Sequence, residues 1–251
     1  MKKLTLTFII LIAYLQLFAQ RAEADTIITN NGDLIIQPIL HGSLVLSWNN
    51  QAIYVDPYGG SKRFEGLPNP TLLLITDIHG DHLNSKTLGE LKTIGTTSIV
   101  PQAVMEKLPG KLKKRAAAIE NGQTVVIEDI EILAIPMYNL PESKNSRHPK
   151  GRGNGYLLTI GGKRIYISGD TEDTPEMRNL QNIDIAFVCM NLPFTMNVDQ
   201  AASAVNEFKP KIVYPYHYRG KDGLSDVESF KMQVLAANPD IDVRLREWYL
   251  E

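Results

Sequence analysis

After about residue 24, short apolar runs separated by turn residues dominate the chain. Residues 34–40, 43–48 and 52–55 alternate or run apolar, and Asn-Gly, His-Gly and Asn-Asn pairs precede or separate them. Short runs between such turn residues are typical of β-strands joined by tight turns. The first part of the chain therefore predicts an antiparallel meander.

From residue 72 onwards, strand-like and helix-like segments alternate. Strands are predicted at 72–76, 98–101, 124–128, 130–136, 156–160, 163–168, 183–190, 212–214 and 242–246. Apolar residues at helical spacing predict helices at 85–93, 102–108, 198–208 and 225–237. This order fits two mixed β-sheets packed face to face, with helices on the outer faces. We therefore predict an α/β (α+β) fold, a four-layer αββα sandwich.

The first 24 residues have the pattern of an export signal. Two lysines precede a mostly apolar stretch, residues 4–19, and small residues suitable for cleavage end at Ala24, with a cut after Ala19 as the alternative. An uncleaved membrane anchor is the other interpretation, although the stretch is short for a span of about 20 residues. We predict a signal peptide at 1–24, one domain at 25–251, a periplasmic or secreted location and no stable membrane anchor.

Composition narrows the classes of partner and of chemistry. Removing the signal takes away three basic residues and one acidic residue, which changes the formal charge from −2 to −4. No basic patch is evident, so nucleic acid is not expected as a partner. The single cysteine, Cys189, lies in an apolar run and cannot form an internal disulfide. We expect a buried free thiol rather than a catalytic one.

A dense group of potential metal ligands directly follows the strand predicted at 72–76. Asp77, His79, Asp81 and His82 occupy four of six consecutive positions. Side chains alternate along a strand, so Asp77 and His79 point to the same side, and the following turn carries the other two. Oxygen and nitrogen donors around one small volume suit a borderline or hard divalent cation. An ordinary turn between a strand and a helix is the alternative.

Three further donors lie after predicted strands or in a long loop. His148 is in a polar loop, Asp170 follows a strand within Ser-Gly-Asp-Thr, and His217 follows another within Tyr-Pro-Tyr-His-Tyr. Each has a structural alternative: a solvated His148, an Asp170 that caps the next helix, and a His217 packed between tyrosines. Together with the dense group they supply seven donors, enough for two ions about 3.5–4 Å apart that share a carboxylate.

These motifs, in this order, resemble the signature of the metallo-β-lactamase superfamily. The matching segments are TDIHGDH, the loop histidine, Gly-Asp-Thr and PYHY. Four further segments resemble the branch that includes ascorbate-phosphate lactonase and N-acylphosphatidylethanolamine phospholipase D. They are AIPMYNL, HPKGRGNGY, RIYISGDTE and FTM. The resemblance covers essentially the whole of the predicted mature chain.

The resemblance implies a ligand set for two divalent ions. A first metal position would be formed by Asp77, His79 and His148, and a second by Asp81, His82 and His217, with Asp170 bridging. Asp77 departs from the pattern, because the family usually has a histidine there. A carboxylate still donates an oxygen, but its added negative charge shifts preference from zinc towards manganese or iron. Zinc remains the expected metal, with manganese and iron as alternatives.

Two cations that share a water would generate hydroxide near neutral pH, and one would polarise the scissile oxygen. We therefore predict a binuclear hydrolase that uses a metal-bridging hydroxide on an ester, lactone, amide or phosphodiester bond of a small molecule. Asp81 would orient the hydroxide and pass a proton to the leaving group. The alternative is a non-catalytic metal- or anion-binding protein of the cell envelope, because a fold does not determine an activity.

Other residues are candidates for supporting or substrate-facing roles. Asp56 ends a predicted strand and is expected either to accept the spare imidazole N–H of a ligand such as His79 or His82 or to cap its own turn. His41 resembles a histidine of related hydrolases that faces substrate, with a solvated turn as the alternative. Four loop residues near the proposed ligands are candidates for lining the pocket: Tyr138, Asn191, Thr195 and Tyr218.

Overall fold

The computed structural model describes residues 21–250, and its first half forms one seven-stranded sheet. The strands stand side by side in chain order: β1 (Asp25–Thr29), β2 (Gly32–Leu40), β3 (Ser43–Trp48), β4 (Gln51–Val55), β5 (Leu72–Leu74), β6 (Thr97–Val100) and β7 (Ala116–Ala118). The strands from β1 to β4 pair antiparallel, as the predicted meander requires, and those from β4 to β7 pair parallel. The sheet is therefore mixed.

The second half forms another mixed sheet of seven strands. Its strands are β8 (Thr124–Ile127), β9 (Ile130–Met137), β10 (Gly153–Ile160), β11 (Lys163–Ile167), β12 (Ile185–Cys189), β13 (Ile212–Tyr216) and β16 (Asp242–Val243). Between β13 and β16, the chain forms a small separate hairpin of β14 (Arg219–Gly220) and β15 (Gly223–Leu224). The predicted hairpin around Gly161 and Gly162 joins β10 to β11, and both glycines have positive φ, as tight turns favour.

Helices occupy the connections between the parallel strands. They are α1 (Ser85–Glu90), α2 (Gln102–Lys107), α3 (Gly110–Lys113), α4 (Pro175–Arg178), α5 (Val198–Phe208) and α6 (Val227–Ala237), with a 3₁₀ turn at Ser61–Phe64. The predicted apolar face of α5 is buried, and a capping box between Asn197 and Gln200 begins the helix. One apolar cluster spans residues of both sheets and the helices of the second half, and a second lies beside α1, α2 and α3. The predicted αββα sandwich is confirmed.

Several predicted bounds were wrong for local reasons. The helix predicted at 85–93 ends at Glu90, because the next residue is extended. The helix predicted from 225 begins at Val227, because the side chain of Asp226 caps it. The strand predicted at 242–246 ends at Val243. The short β7 was not predicted, since its alanines have little β-propensity.

The single thiol lies in the core, as predicted. Cys189 is fully buried on β12, and burial raises its pKa to about 11, so it remains a neutral thiol at physiological pH. The predicted signal peptide falls mainly on residues 1–20, which lie outside the described part of the chain. Among residues 21–250, no helix is both long enough and apolar enough to cross a membrane.

Candidate metal centre

Four of the candidate ligands lie in the turn that follows β5. The turn is closed by a hydrogen bond of 3.0 Å from His82 N to the carbonyl oxygen of His79. Asn84 then caps α1 by accepting a hydrogen bond from Thr87 N. The side chains of Asp77 and His82 are completely buried, so the turn directs them into the protein rather than to solvent.

The remaining three candidate ligands come from the second sheet. His148 lies in the loop between β9 and β10, Asp170 follows β11 and His217 follows β13 directly. All three are buried, which excludes a solvated His148. The cap of α4 is the side chain of Thr174, which accepts a hydrogen bond from Met177 N, so Asp170 does not cap that helix.

The seven side chains converge, and Asp170 lies at the centre. Its Oδ2 is 3.3 Å from both His82 Nε2 and His148 Nε2. Its Oδ1 is 3.4 Å from His217 Nε2, which is also 3.4 Å from Asp81 Oδ2. The other ligand atoms form two groups, each within 4.8 Å: Asp77, His79 and His148, and Asp81, His82 and His217. These groups coincide with the first and second metal positions, and Asp170 contacts histidines of both.

Many of the converging atoms are buried without a hydrogen-bond partner among residues 21–250. They are His79 Nδ1, His82 Nε2, His148 Nε2, His217 Nε2 and Asp170 Oδ1. Leaving a buried polar atom unpaired costs about 1–3 kcal/mol. Two ligands that bind one cation at about 2.1 Å lie about 3.4 Å apart in tetrahedral geometry and about 3.0 Å apart in octahedral geometry. Separations of 3.3 and 3.4 Å between these atoms therefore fit shared cations.

Neighbouring groups fix the orientation of two of the imidazoles. His82 Nδ1 lies 2.7 Å from Asp56 Oδ2, and Asp56 also accepts hydrogen bonds from the backbone N–H and the hydroxyl of Thr76. His148 Nδ1 lies 3.1 Å from Asn139 Oδ1. An N–H at Nδ1 leaves the lone pair at Nε2 free for a metal, which is the arrangement usual for ligand histidines. The structure thus places Asp56 against His82, one of its two expected partners.

The electrostatics favour charged carboxylates. Burial raises the pKa of Asp170 and Asp81, but nearby imidazoles, chiefly His217 and His82, outweigh this and hold both below the ordinary range. Burial likewise opposes protonation of His82, yet the carboxylates of Asp170 and Asp56 raise its pKa well above the ordinary value. The metal-free protein therefore carries on His82 a proton that a bound cation must displace.

His41 lies beside the second group of ligands. Its ring packs edge-on against those of His217, Tyr58 and Tyr249, at centroid distances of 5.1–5.2 Å, and Tyr249 Oη is 3.3 Å from its Nδ1. Burial, reinforced by His217, lowers the pKa of His41 to about 4, so its imidazole is neutral at pH 7. His41 therefore lies in the turn between β2 and β3, half-buried among these rings rather than fully solvated.

The four candidate pocket residues are all buried and bonded to the protein. Tyr138 donates to Glu176, Thr195 and Asn191 bond to each other, and Tyr218 packs against Tyr249. Their side chains are at most 6% exposed. Their contacts are those of residues that hold the loops around the ligands in place.

Comparison with known proteins identifies the family. A sequence model of the beta-lactamase superfamily domain matches residues 36–217, which include all seven candidate ligands. The chain belongs to the metallo-β-lactamase superfamily. A UPF0173 metal-dependent hydrolase of Pyrococcus furiosus is 28% identical over 199 residues, which cover 74% of this chain and 85% of that protein. The predicted class, a metal-dependent hydrolase of this superfamily, is confirmed.

Solved structures agree with this membership. A metal-dependent hydrolase from Parabacteroides distasonis is 39% identical, with a TM-score of 0.79 over 90% of this chain and 99% of that one. A metallo-beta-lactamase fold protein from Bacillus subtilis is 13% identical, with a TM-score of 0.66 over 82% and 88%. The second likeness shows the metallo-β-lactamase fold alone.

Sequence reasoning missed three contacts of the candidate metal centre. Arg152 pairs with Asp77, Asn139 contacts His148, and Tyr249 covers His41. For the first two contacts, the only signal in the sequence is that Asn139 and Arg152 lie near His148 along the chain. Tyr249 reaches the centre from the far end of the chain, and no local pattern indicates that contact.

Proposed function

We propose that the protein is a binuclear metal-dependent hydrolase. The first metal position would use Asp77, His79 and His148, the second Asp81, His82 and His217, and Asp170 would bind both ions. The observation that supports this most directly is the convergence of buried, unpartnered ring nitrogens around Asp170 at 3.3–3.4 Å. Charge-assisted hydrogen bonds between an imidazole and a carboxylate are shorter, about 2.7–2.9 Å, whereas 3.3–3.4 Å is the separation of two ligands of one cation.

The donor set contains imidazole nitrogens and carboxylate oxygens without sulfur, which suits zinc and also accommodates manganese or iron. When bound, two such ions would supply an activated water and would polarise the oxygen of the scissile bond. We infer a small-molecule substrate with an ester, lactone, amide or phosphodiester bond. In agreement with the predicted signal peptide, we place this activity outside the cytoplasmic membrane.

Asp81 is the residue we assign to proton transfer. Its side chain is 35% exposed, against 5% for Asp170 and none for Asp77, so substrate can reach it. Its Oδ2 faces His217 at 3.4 Å, whereas Oδ1 is 4.0 Å from His82 Nε2 and is the freer oxygen. Because its pKa is lowered, Asp81 begins as a carboxylate. Oδ1 would accept the proton of the attacking water and return it to the leaving group.

The test is metal content together with hydrolysis. Protein purified without chelator should contain about two ions per chain by elemental mass spectrometry and should hydrolyse at least one of a set of ester, lactone, amide and phosphodiester substrates. His148→Ala should lose the ion of the first position. The matched control is Asn145→Ala, which truncates an exposed side chain in the same loop as His148, and this variant should keep both ions.

No bound metal, and no activity after addition of zinc, manganese or iron, would refute the proposal. Wild-type metal content in the His148→Ala protein would remove His148 from the ligand set. Two tightly bound ions without hydrolysis of any substrate would leave the metal sites in place but refute the assignment as a hydrolase.

A further inference from the structure

Arg152 makes a two-point ion pair with the unusual ligand Asp77. Its Nε is 3.1 Å from Asp77 Oδ1 and its Nη2 is 3.1 Å from Asp77 Oδ2. The carboxylate is completely buried and the guanidinium side chain is 20% exposed. Paired N–H groups of this kind hold a carboxylate in one plane and one orientation.

The same carboxylate also faces the first metal position. Asp77 Oδ2 is 2.5 Å from His79 Nδ1, and both residues belong with His148 to one group whose possible ligand atoms lie within 4.8 Å of one another. A carboxylate has about four lone-pair sites, so Oδ2 has room for both Nη2 of Arg152 and a cation. The guanidinium and the ligand group thus contact Asp77 from different directions.

The backbone keeps Arg152 close to this position. Arg152 N donates to Pro149 O at 3.2 Å, which closes a turn immediately after the ligand His148. The next residue, Gly153, leaves no space for a side chain, since a Cβ there would lie 2.8 Å from the carbonyl oxygen of Thr76. Arg152 therefore ends the turn that begins directly after His148, so the backbone holds the partner of Asp77 close to that ligand.

The Asp77–Arg152 ion pair also changes the net charge of the site. An aspartate in place of histidine adds one negative charge to a site that already contains the half-buried Asp81 and the buried Asp170. The guanidinium of Arg152 offsets that charge, and an uncompensated carboxylate in this place would be costly to bury. The Asp77–Arg152 pair is then closer in net charge to the neutral imidazole that the family usually has.

We propose that Arg152 is a positioning residue of the first metal position, which holds Asp77 as a one-oxygen donor and compensates its charge. This inference rests on the proposed function, because it requires an ion between Asp77, His79 and His148. Unlike a merely structural ion pair, a positioning role requires that the effect of Arg152 on metal affinity depend on Asp77.

A double-mutant cycle tests that dependence. Wild type, Arg152→Met, Asp77→His and the Asp77→His/Arg152→Met double variant would be titrated with zinc against a chromophoric chelator, with stoichiometry from elemental mass spectrometry. Removing a partner of a metal ligand typically weakens metal binding about 10–100-fold. We expect such a loss at the first position of Arg152→Met and no change at the second. In the Asp77→His background, Arg152→Met should cause no loss.

Two controls distinguish an effect of Arg152 on metal binding from a defect in folding. Arg178→Met removes another arginine that pairs with an aspartate, Asp173, at 2.6 Å, outside the ligand set, and should bind both ions normally. The double variant leaves neither member of the buried pair, so it keeps the cycle informative if Arg152→Met folds poorly.

Unchanged affinity in Arg152→Met, or an equal loss in both backgrounds, would overturn the role of Arg152. A wild-type protein that binds two ions while Arg152→Met is unaffected would refute this inference alone. A wild-type protein that binds no ion would refute the proposed function itself.

Discussion

Asp56→Asn should weaken the second metal position although Asp56 is not a proposed ligand. The carboxylate accepts hydrogen bonds at both oxygens: Oδ1 from Thr76 N at 2.8 Å, and Oδ2 from the Thr76 hydroxyl and from His82 Nδ1 at 2.7 Å. An asparagine of the same shape has one oxygen and one NH₂ group. In either orientation, the NH₂ group therefore meets a donor.

Each orientation has a definite consequence. If NH₂ faces His82, the imidazole must move its proton from Nδ1 to Nε2, the atom that points at Asp170 and the second position. If NH₂ faces Thr76 N, a backbone donor is left unpaired in a fully buried place. The first outcome should cost about 10–100-fold in metal affinity, and the second about 1–3 kcal/mol of stability.

The assay combines zinc titration with thermal unfolding. For a domain of this size a loss of 1–3 kcal/mol lowers the Tm by about 2–12 °C. Asp240→Asn, which removes an exposed carboxylate and changes the net charge equally, is the matched control and should alter neither quantity. An Asp56→Asn protein with wild-type zinc affinity and wild-type Tm would refute the reasoning that the Asp56 contact fixes the tautomer of His82.

Three other predictions concern the bridge, the protons and the mature chain. Asp170→Ala should lose both ions by elemental mass spectrometry, and the loss of only one would exclude bridging. Because the pKa of His82 is raised in the metal-free protein, zinc affinity should rise with pH through neutrality. Calorimetry in buffers of different ionisation enthalpy should detect the released proton. Zinc binding that is independent of pH and releases no proton would contradict this prediction. Intact mass of exported protein should correspond to a chain beginning after Ala24 or Ala19, whereas a full-length mass there would exclude cleavage.

Much of the fold followed from local pattern. Alternation and turn pairs predicted the meander, and Gly161-Gly162 predicted the hairpin, because the energetics of both depend on residues close in sequence. The final strand was predicted too long. Arg244 and Arg246 alternate with apolar residues, but their guanidinium groups pair with Asp25 at the start of β1, which sequence patterning does not reveal.

The candidate ligands were also visible in the sequence, whereas their supporting residues were mostly not. Each acid or imidazole at a strand end has an ordinary structural explanation, but seven of them in one chain order indicate a metal site. Asn139 and Arg152 are ordinary loop residues until the fold brings them against His148 and Asp77. For Tyr138 the structure adds a contact that the sequence did not indicate, a hydrogen bond from its hydroxyl to Glu176, and its role in lining a pocket stays a prediction.

The two sheets are built from consecutive halves of the chain, which meet covalently only between β7 and β8. Each proposed metal position takes two ligands from the first half and, with the shared Asp170, two from the second. Neither half alone contains a complete position, so ion binding and the association of the halves are thermodynamically linked. A chain divided within residues 119–123 would be a fragment-complementation system, in which divalent ions at 100 times their Kd add about 2.7 kcal/mol per site to reassembly.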